Sequence, residues 1–275
     1  MIKTGSIHSE EPLLSLQGVD MNFKQGRGYF QALKDINLDA YDGDFICLLG
    51  SSGCGKTSLL NIMAGYVRPS SGQVIFRGQE FTRPSSDVGV VFQQQNLFPW
   101  LTVYKNVEFG LRLKRLPASE RREIVEHYLE LVGLEDAVDK YPHQLSGGMK
   151  QRATIARTLA PDPKVVLFDE PFSALDALTR EKMQEHIRSI WQRSKKCFLF
   201  ITHDVDEALL LSRRLLIMKA GPGRIHADYP NPLTRDGREY NAWDIRNAES
   251  YKEVRESIIT MIQSEEDIKI ASLAG

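Results

Sequence analysis

Gly50-Ser51-Ser52-Gly53-Cys54-Gly55-Lys56-Thr57-Ser58 follows the apolar run Phe45-Ile46-Cys47-Leu48-Leu49 and precedes Leu59-Leu60. Residues 50–57 fit Gly-x-x-x-x-Gly-Lys-Thr, lying between a strand-length run and a helical segment over 57–64 that Gly65 and Pro69 stop. Glycines there let the backbone turn tightly, so that successive N–H groups converge on phosphate oxygens. The start of the helix adds its partial positive charge. Residues 50–58 are therefore the expected phosphate cradle. Lys56 is expected to reach the β- and γ-phosphates of a nucleotide, and the Thr57 hydroxyl to ligate Mg²⁺. Cys54, inside the loop, reads as a small tolerated residue, with a redox brake as the alternative.

A second stretch completes this chemistry. Val165-Val166-Leu167-Phe168 is a buried strand, and Asp169-Glu170 follow at its C-terminal end. Open α/β sheets bind ligands at that end. Asp169 is expected to hold Mg²⁺, directly or through water, and Glu170 to orient or deprotonate an attacking water. Two carboxylates there would also suit a helix N-cap. The phosphate loop upstream favours the nucleotide reading.

Around these anchors, short apolar runs alternate with amphipathic helices, the pattern of α/β layers. Strands are expected over 13–23 and 31–40, joined through Gly26 and Gly28, and over 45–49, 73–76, 88–92, 165–168, 198–201 and 215–218. Residues 96–160 are mainly helical. One helix spans 119–132, with Ser119 as its cap, Ile124, Tyr128, Leu129 and Val132 on one face, and Gly133 at its end. Others are expected over 148–160, 178–192 and 248–263. Gly221-Pro222-Gly223 reads as a turn, because neither Lys nor a helix follows it.

Composition narrows the function. The 275 residues carry 35 Lys+Arg against 36 Asp+Glu, a net charge of −1, which argues against a nucleic-acid partner. Hydrophobic content of 42% permits a buried core and excludes general disorder. No apolar run approaches the ~20 residues a membrane span needs. Residues 1–12 are polar and lack the apolar centre of a secretion signal, so the chain is expected to stay where it is made. Cys47, Cys54 and Cys197 have no metal-ligand spacing and read as reduced thiols.

Leu145-Ser146-Gly147-Gly148-Met149-Lys150-Gln151-Arg152 resembles the signature of ATP-binding cassette (ABC) ATPases, with Met149 where that family usually has Gln. Gln93 resembles the family's Q-loop glutamine, Ser173-Ala174-Leu175-Asp176 its D-loop, and His203 its switch histidine. These motifs run in the family's order from about residue 13 to 218.

The resemblance implies a P-loop NTPase (RecA-like) α/β core over 13–93 and 161–228. It also implies an antiparallel β subdomain and an inserted α-helical subdomain over 94–160. Residues 229–275 form an extension with a helix that either covers the core or touches a partner. The family further implies a head-to-tail dimer, of two copies or of paired ATPase subunits, around two ATP. One subunit supplies Lys56, Thr57, Gln93, Asp169, Glu170 and His203. The other supplies Ser146, Gly147 and Gly148, with Asp176 of the D-loop also at the nucleotide. Gln93 joins Thr57 and Asp169 as a Mg²⁺ ligand. Phe23 stands where the family stacks an aromatic on adenine, with Tyr29 and Phe30 as rivals.

Phe98-Pro99-Trp100 after the Q-loop, the run 169–180 and Gly221-Pro222-Gly223-Arg224-Ile225 resemble the ATPase subunits of nitrate/sulfonate/taurine importers. That branch implies a peripheral subunit on the cytoplasmic side of the bacterial inner membrane. It docks, with Phe98, Pro99, Trp100 and the segment to Phe109 as candidate contacts, beneath separate permease subunits that a solute-binding protein feeds. Alternatives are a soluble ABC ATPase of translation or DNA repair, for which tandem cassettes or a coiled-coil insertion are lacking, and an exporter ATPase.

Overall fold

The computed structural model describes residues 11–263 apart from 27, 174, 195 and 235–239. Most of the polar start, Ala174 of the D-loop-like run and the last part of the extension therefore lie outside the described residues. Two units can be separated, Met1–Ser85 with Cys197–Gly275, and Ser86–Lys196.

In the first unit, β1 (Leu14–Gln25) and β2 (Gly28–Ala40) pair antiparallel down to Gln25 opposite Gly28. The expected Gly-rich connection is thus mostly strand, with only a tight turn at Gly26 (φ 59°). β3 (Phe45–Gly50) is buried along its whole length, and α1 (Lys56–Met63) follows the phosphate loop. β4 (Ser71–Phe76) and β5 (Gln79–Glu80) complete an antiparallel sheet of order β2-β1-β4-β5.

The second unit begins with β6 (Val88–Val91), followed by α2 (Val103–Leu113), α3 (Ala118–Leu131), α4 (Gly147–Leu159), β7 (Val165–Asp169) and α5 (Ala177–Ser194). β6 and β7 pair in parallel, Val91 opposite Phe168. Two readings of α3 are corrected. The helix starts at Ala118 with Pro117 before it, so Ser119 lies inside the first turn and caps nothing. Its pre-set φ suits proline to a helix start, and only the Pro117 carbonyl is needed there, accepting from Arg121 N at 3.0 Å. The buried face is Val125, Leu129 and Val132, while Ile124 and Tyr128 are half-buried. Gly133 does end the helix, at φ 62°, with Gly133 N on Glu130 O and Leu134 N on Leu129 O.

The chain then returns to the first unit with β8 (Cys197–Ile201), α6 (Val205–Leu211), β9 (Arg214–Lys219), β10 (Arg224–Pro230), α7 (Ala242–Arg246) and α8 (Tyr251–Gln263). β3 lies between β8 and β9, parallel to both, and β10 runs antiparallel on β9. Phe45 packs edge-on against Phe198, with ring centroids 5.6 Å apart, and lies beside Phe200. Each such buried aromatic contributes about 1.5–3 kcal/mol over an exposed one. This clamps β3, whose end carries the phosphate loop. No helix among the described residues is long and apolar enough to cross a membrane.

Candidate nucleotide site

The loop after β3 is shaped by its glycines. A Cβ on Gly50 would lie 2.6 Å from Met218 O and 2.7 Å from Cys54 Sγ. Gly55 sits at φ 96°, and a Cβ there would lie 2.6 Å from Leu33 Cδ2. Gly55 also precedes α1 and has no side chain to cap it, so the first-turn N–H groups have no side-chain partner there. They and the helix dipole are the elements of an anion cradle. Lys56 is only 8% exposed. Its Nζ donates to Gly50 O at 2.7 Å and Ser51 O at 3.0 Å, so the ammonium is held inside the loop it serves. Thr57 is exposed on the first turn and Ser58 half-buried beside it.

Burial is the main influence on the Cys54 thiol and pushes its pKa up, although the Lys56 ammonium and hydrogen bonds pull it down. Cys54 is therefore a packed thiol rather than a reactive one.

Gly223 is a further residue that sequence reasoning missed. It was expected to make a turn and to belong to a run resembling the importer branch, with no part in the phosphate loop. Its N–H donates to Ala32 O at 3.0 Å, its carbonyl accepts from Lys34 N at 2.9 Å, and a Cβ there would collide with Cys54 O. The Gly-Pro-Gly turn thus braces the phosphate loop from behind. The signal was present as two glycines around a proline, but the collision is a tertiary fact.

His203 leaves the same sheet edge. Leu48 pairs with Ile201, so the loop at Gly50 and the exposed His203 follow neighbouring parallel strands. Thr202 Oγ1 accepts from Asp204 N at 3.0 Å, and Asp204 caps α6 by accepting from Asp206 N and Glu207 N at 2.9 and 3.2 Å. Phe23 and Phe30 are directly opposed across the β1–β2 hairpin and both exposed. Tyr29 pairs with Lys24, one position on, and so projects from the other face of the ribbon.

The second unit assembles the other residues. Gln93 follows β6 and Asp169 ends β7, so both leave neighbouring parallel strands at one edge. Asp169 is buried, whereas Gln93 is exposed. Glu170 takes φ 45°, a left-handed conformation that a non-glycine residue adopts at a cost of about 1–3 kcal/mol. Ser173 holds it there, its N–H and Oγ both donating to Glu170 O, at 3.3 and 3.0 Å. No helix starts at Asp169 or Glu170, which removes the N-cap alternative. The next helix is capped instead by Asp176, whose Oδ1 accepts from Thr179 N at 3.0 Å.

α4 starts within the expected signature. Ser146 caps it, accepting from Met149 N at 3.2 Å. Ser146 and Gly147 are exposed and Gly148 half-buried. A Cβ on Gly147 would meet nothing within 4 Å, and one on Gly148 only Leu175 Cδ2 at 3.3 Å. Gln151 is buried and its Nε2 reaches Phe92 O at 3.4 Å, tying the signature helix to the residue before Gln93.

Asn106 is also a residue the sequence did not single out. It is fully buried, accepts from Phe98 N at 2.8 Å and donates to the carbonyls of Phe98, Leu101 and Thr102. It holds a loop that presents Trp100, 70% exposed, with Phe98 between Trp100 and Phe109 at ring distances of 5.6 and 4.6 Å.

The chain is similar to known proteins over most of its length. Residues 33–173 match the family model described as ABC transporter. The chain is 44% identical to the taurine import ATP-binding protein TauB of Roseobacter denitrificans over 92% of its own length and 95% of that protein. Among solved structures it resembles the dimeric ATP-binding cassette MJ0796 in a post-hydrolysis state with ADP and Pi. That match has a TM-score of 0.73 and 32% identity, covering 82% of this chain and all of the other. It also resembles cbiO1 of Clostridium perfringens, part of the ABC transporter complex cbiONQ, with a TM-score of 0.71 and 30% identity over 83% and 92% of the two chains.

Proposed function

The chain belongs to the ABC transporter family, and from that premise we propose that it is the ATP-hydrolysing subunit of an importer for a small anion or sulfonate of the taurine type. Two copies, or this chain and a paired ATPase subunit, close around two ATP and drive separate membrane permease subunits. A solute-binding protein acts on those permeases and touches this chain only indirectly. The subunit then works peripherally, on the cytoplasmic side of the membrane. Residues 94–160 serve as the helical subdomain of the cassette.

What carries this reading is the glycine pair at the start of α4. Neither Gly147 nor Gly148 needs a left-handed backbone, and a Cβ on Gly147 meets nothing. Glycine inside a helix is unfavourable by about 1 kcal/mol relative to alanine. A phosphate approaching the exposed N–H groups from outside explains the choice, because a Cβ would stand between them. With Ser146, these residues complete the cradle around ATP held by a partner's phosphate loop.

In that reading Lys56 neutralises the β- and γ-phosphates, and residues 50–58 wrap them with backbone N–H groups. Glu170 orients and deprotonates the attacking water, His203 senses the γ-phosphate, and Gln93 and Asp176 line the nucleotide. The oxygen donors Thr57, Asp169 and Gln93 suit Mg²⁺, which takes few protein oxygens alongside phosphates and water and would neutralise charge on the phosphates. The opposed Phe23–Phe30 pair supplies the adenine platform, since both lie on one face of the ribbon. Phe98, Trp100 and Phe109 form the permease-docking cluster.

Glu170→Gln tests the chemistry. ATP binding is retained, turnover falls by about 100-fold or more, and an ATP-dependent dimer accumulates in size-exclusion chromatography. Normal turnover in this variant would refute the role of Glu170. Uptake of taurine, alkanesulfonates, nitrate and bicarbonate in cells lacking this chain tests the solute. Unchanged uptake of all four would remove the import reading.

A further inference from the structure

The extension after residue 229 has no part in the reaction as described, yet it grips the helix that follows His203 at both ends. At the C-terminal end of α6, the fully buried Asn231 donates from Nδ2 to Leu209 O at 2.9 Å and Ser212 O at 2.8 Å. Thr234 Oγ1 adds a bond to Ser212 O at 3.3 Å. These side chains satisfy carbonyls that a helix end leaves unpaired.

At the N-terminal end, Asp206 receives three bonds from α8. Tyr251 Oη donates to Oδ1 at 2.7 Å, Arg255 Nε to Oδ1 at 2.7 Å, and Arg255 Nη2 to Oδ2 at 3.2 Å. Tyr251 and Arg255 are four residues apart and so share a helix face. Ile245 of α7 and Ile258 of α8, both almost fully buried, anchor the extension apolarly. Burial raises the Asp206 pKa, but the bonds from Arg255 and Tyr251, with Arg246 nearby, outweigh it and hold the carboxyl below its ordinary range.

The path from Asp206 to His203 is short and rigid. Asp206 N and Glu207 N bind Asp204 Oδ1, Asp204 N binds Thr202 Oγ1, and Thr202 N binds Leu48 O at 3.3 Å in β3. His203 lies inside this chain of bonds. A tilt of α6 would therefore reorient the segment that carries it. Partly exposed ion pairs contribute little to stability, but a two-pronged guanidinium–carboxylate pair fixes direction.

We propose that Arg255 and Tyr251 are positioning residues for ATP hydrolysis, acting through Asp206 to set the start of α6 and with it His203. This rests on the γ-phosphate role given to His203 above. The test measures steady-state ATP turnover, fluorescent ATP-analogue binding and melting temperature on full-length chains. The variants are Arg255→Ala, Arg255→Lys, Tyr251→Phe, Asp206→Asn and His203→Ala. Arg255→Ala and Asp206→Asn should each lower kcat by about 3- to 10-fold with KM for ATP and analogue binding within about twofold of the parent. A chain carrying both Arg255→Ala and Asp206→Asn should be no worse than the poorer single variant, because both break the same pair.

Arg255→Lys should recover part of kcat, and Tyr251→Phe should lose less than Arg255→Ala. Parent-like kcat in Arg255→Ala alongside a His203→Ala variant crippled by tenfold or more would overturn the latch and leave the role of His203 standing. Parent-like kcat in His203→Ala would remove the role of His203 and the latch with it. A fall in melting temperature together with a rise in KM in Arg255→Ala would make the extension a simple structural cover, which also overturns the proposal.

Discussion

The phosphate loop after β3 and the signature at the start of α4 are both glycine-rich helix starts, but their glycines answer different demands. In the phosphate loop the chain itself requires them. Gly50 would strike Met218 and Cys54, Gly55 is left-handed and pressed on Leu33, and Gly223 presses on the loop from behind. In the signature the chain places no such demand on Gly147 and little on Gly148. One site is closed on itself, with its lysine buried and bonded to its own carbonyls. The other is an exposed, capped helix start whose residues suit something from outside. Under the proposed function, the difference separates a site built by folding from one that a partner completes.

The strongest blow to the self-contained half is Lys56→Ala. ATP turnover should fall by about 100-fold or more, with binding weakened or lost, measured by phosphate release and analogue fluorescence. One substitution on each side separates the two demands on glycine. Gly55→Ala should cost about 1–3 kcal/mol of stability, seen in denaturant melts, and abolish turnover as well. Gly147→Ala should leave stability unchanged or slightly raised, yet cut turnover by about tenfold or more and weaken ATP-dependent dimers. Equal destabilisation by the two would erase the distinction.

Within the second unit, Asn106→Ala should cost about 1–3 kcal/mol, because it takes the side-chain partner from the Phe98 N–H and the Leu101 carbonyl and one of two bonds each from the Phe98 and Thr102 carbonyls. Turnover of the separated chain should stay near that of the parent while uptake falls. The smallest effect concerns Cys54. Its thiol, pushed up mainly by burial, should react with a thiol reagent far more slowly than a free thiol near neutral pH, as followed by mass spectrometry. Rapid labelling at pH 7 would mean that the loop opens more readily than its packing implies.

The phosphate loop, the strand-end acids and the signature were readable because each is a local pattern whose chemistry depends on residues adjacent in sequence. Other features escaped for specific reasons. α6, Val-Asp-Glu-Ala-Leu-Leu-Leu, is buried at nearly every position, so it lacks the polar face that marks a surface helix. β10 is an edge strand of half-buried and exposed residues, with too little apolar alternation to stand out. Ser119 looked like a cap because Ser favours that position, but Pro117 two residues earlier set the start of α3. Asn106 looks like any helical asparagine until its four partners are seen.

By itself, the sequence determined which residues can carry the proposed chemistry. A Gly-rich loop with Lys56 and Thr57 after an apolar run, carboxylates closing another, and a second glycine-rich helix start can be read residue by residue. Their meaning lies in backbone freedom, charge and strand-to-helix order, all of which are local. Tertiary structure decided what holds that chemistry in place. Gly223 bracing the loop, the left-handed Glu170 tied by Ser173, and the extension gripping α6 through Asn231 and Asp206 depend on close approach or hydrogen bonding. The partners in the first and last cases lie far apart in the chain, and no local pattern encodes such distances.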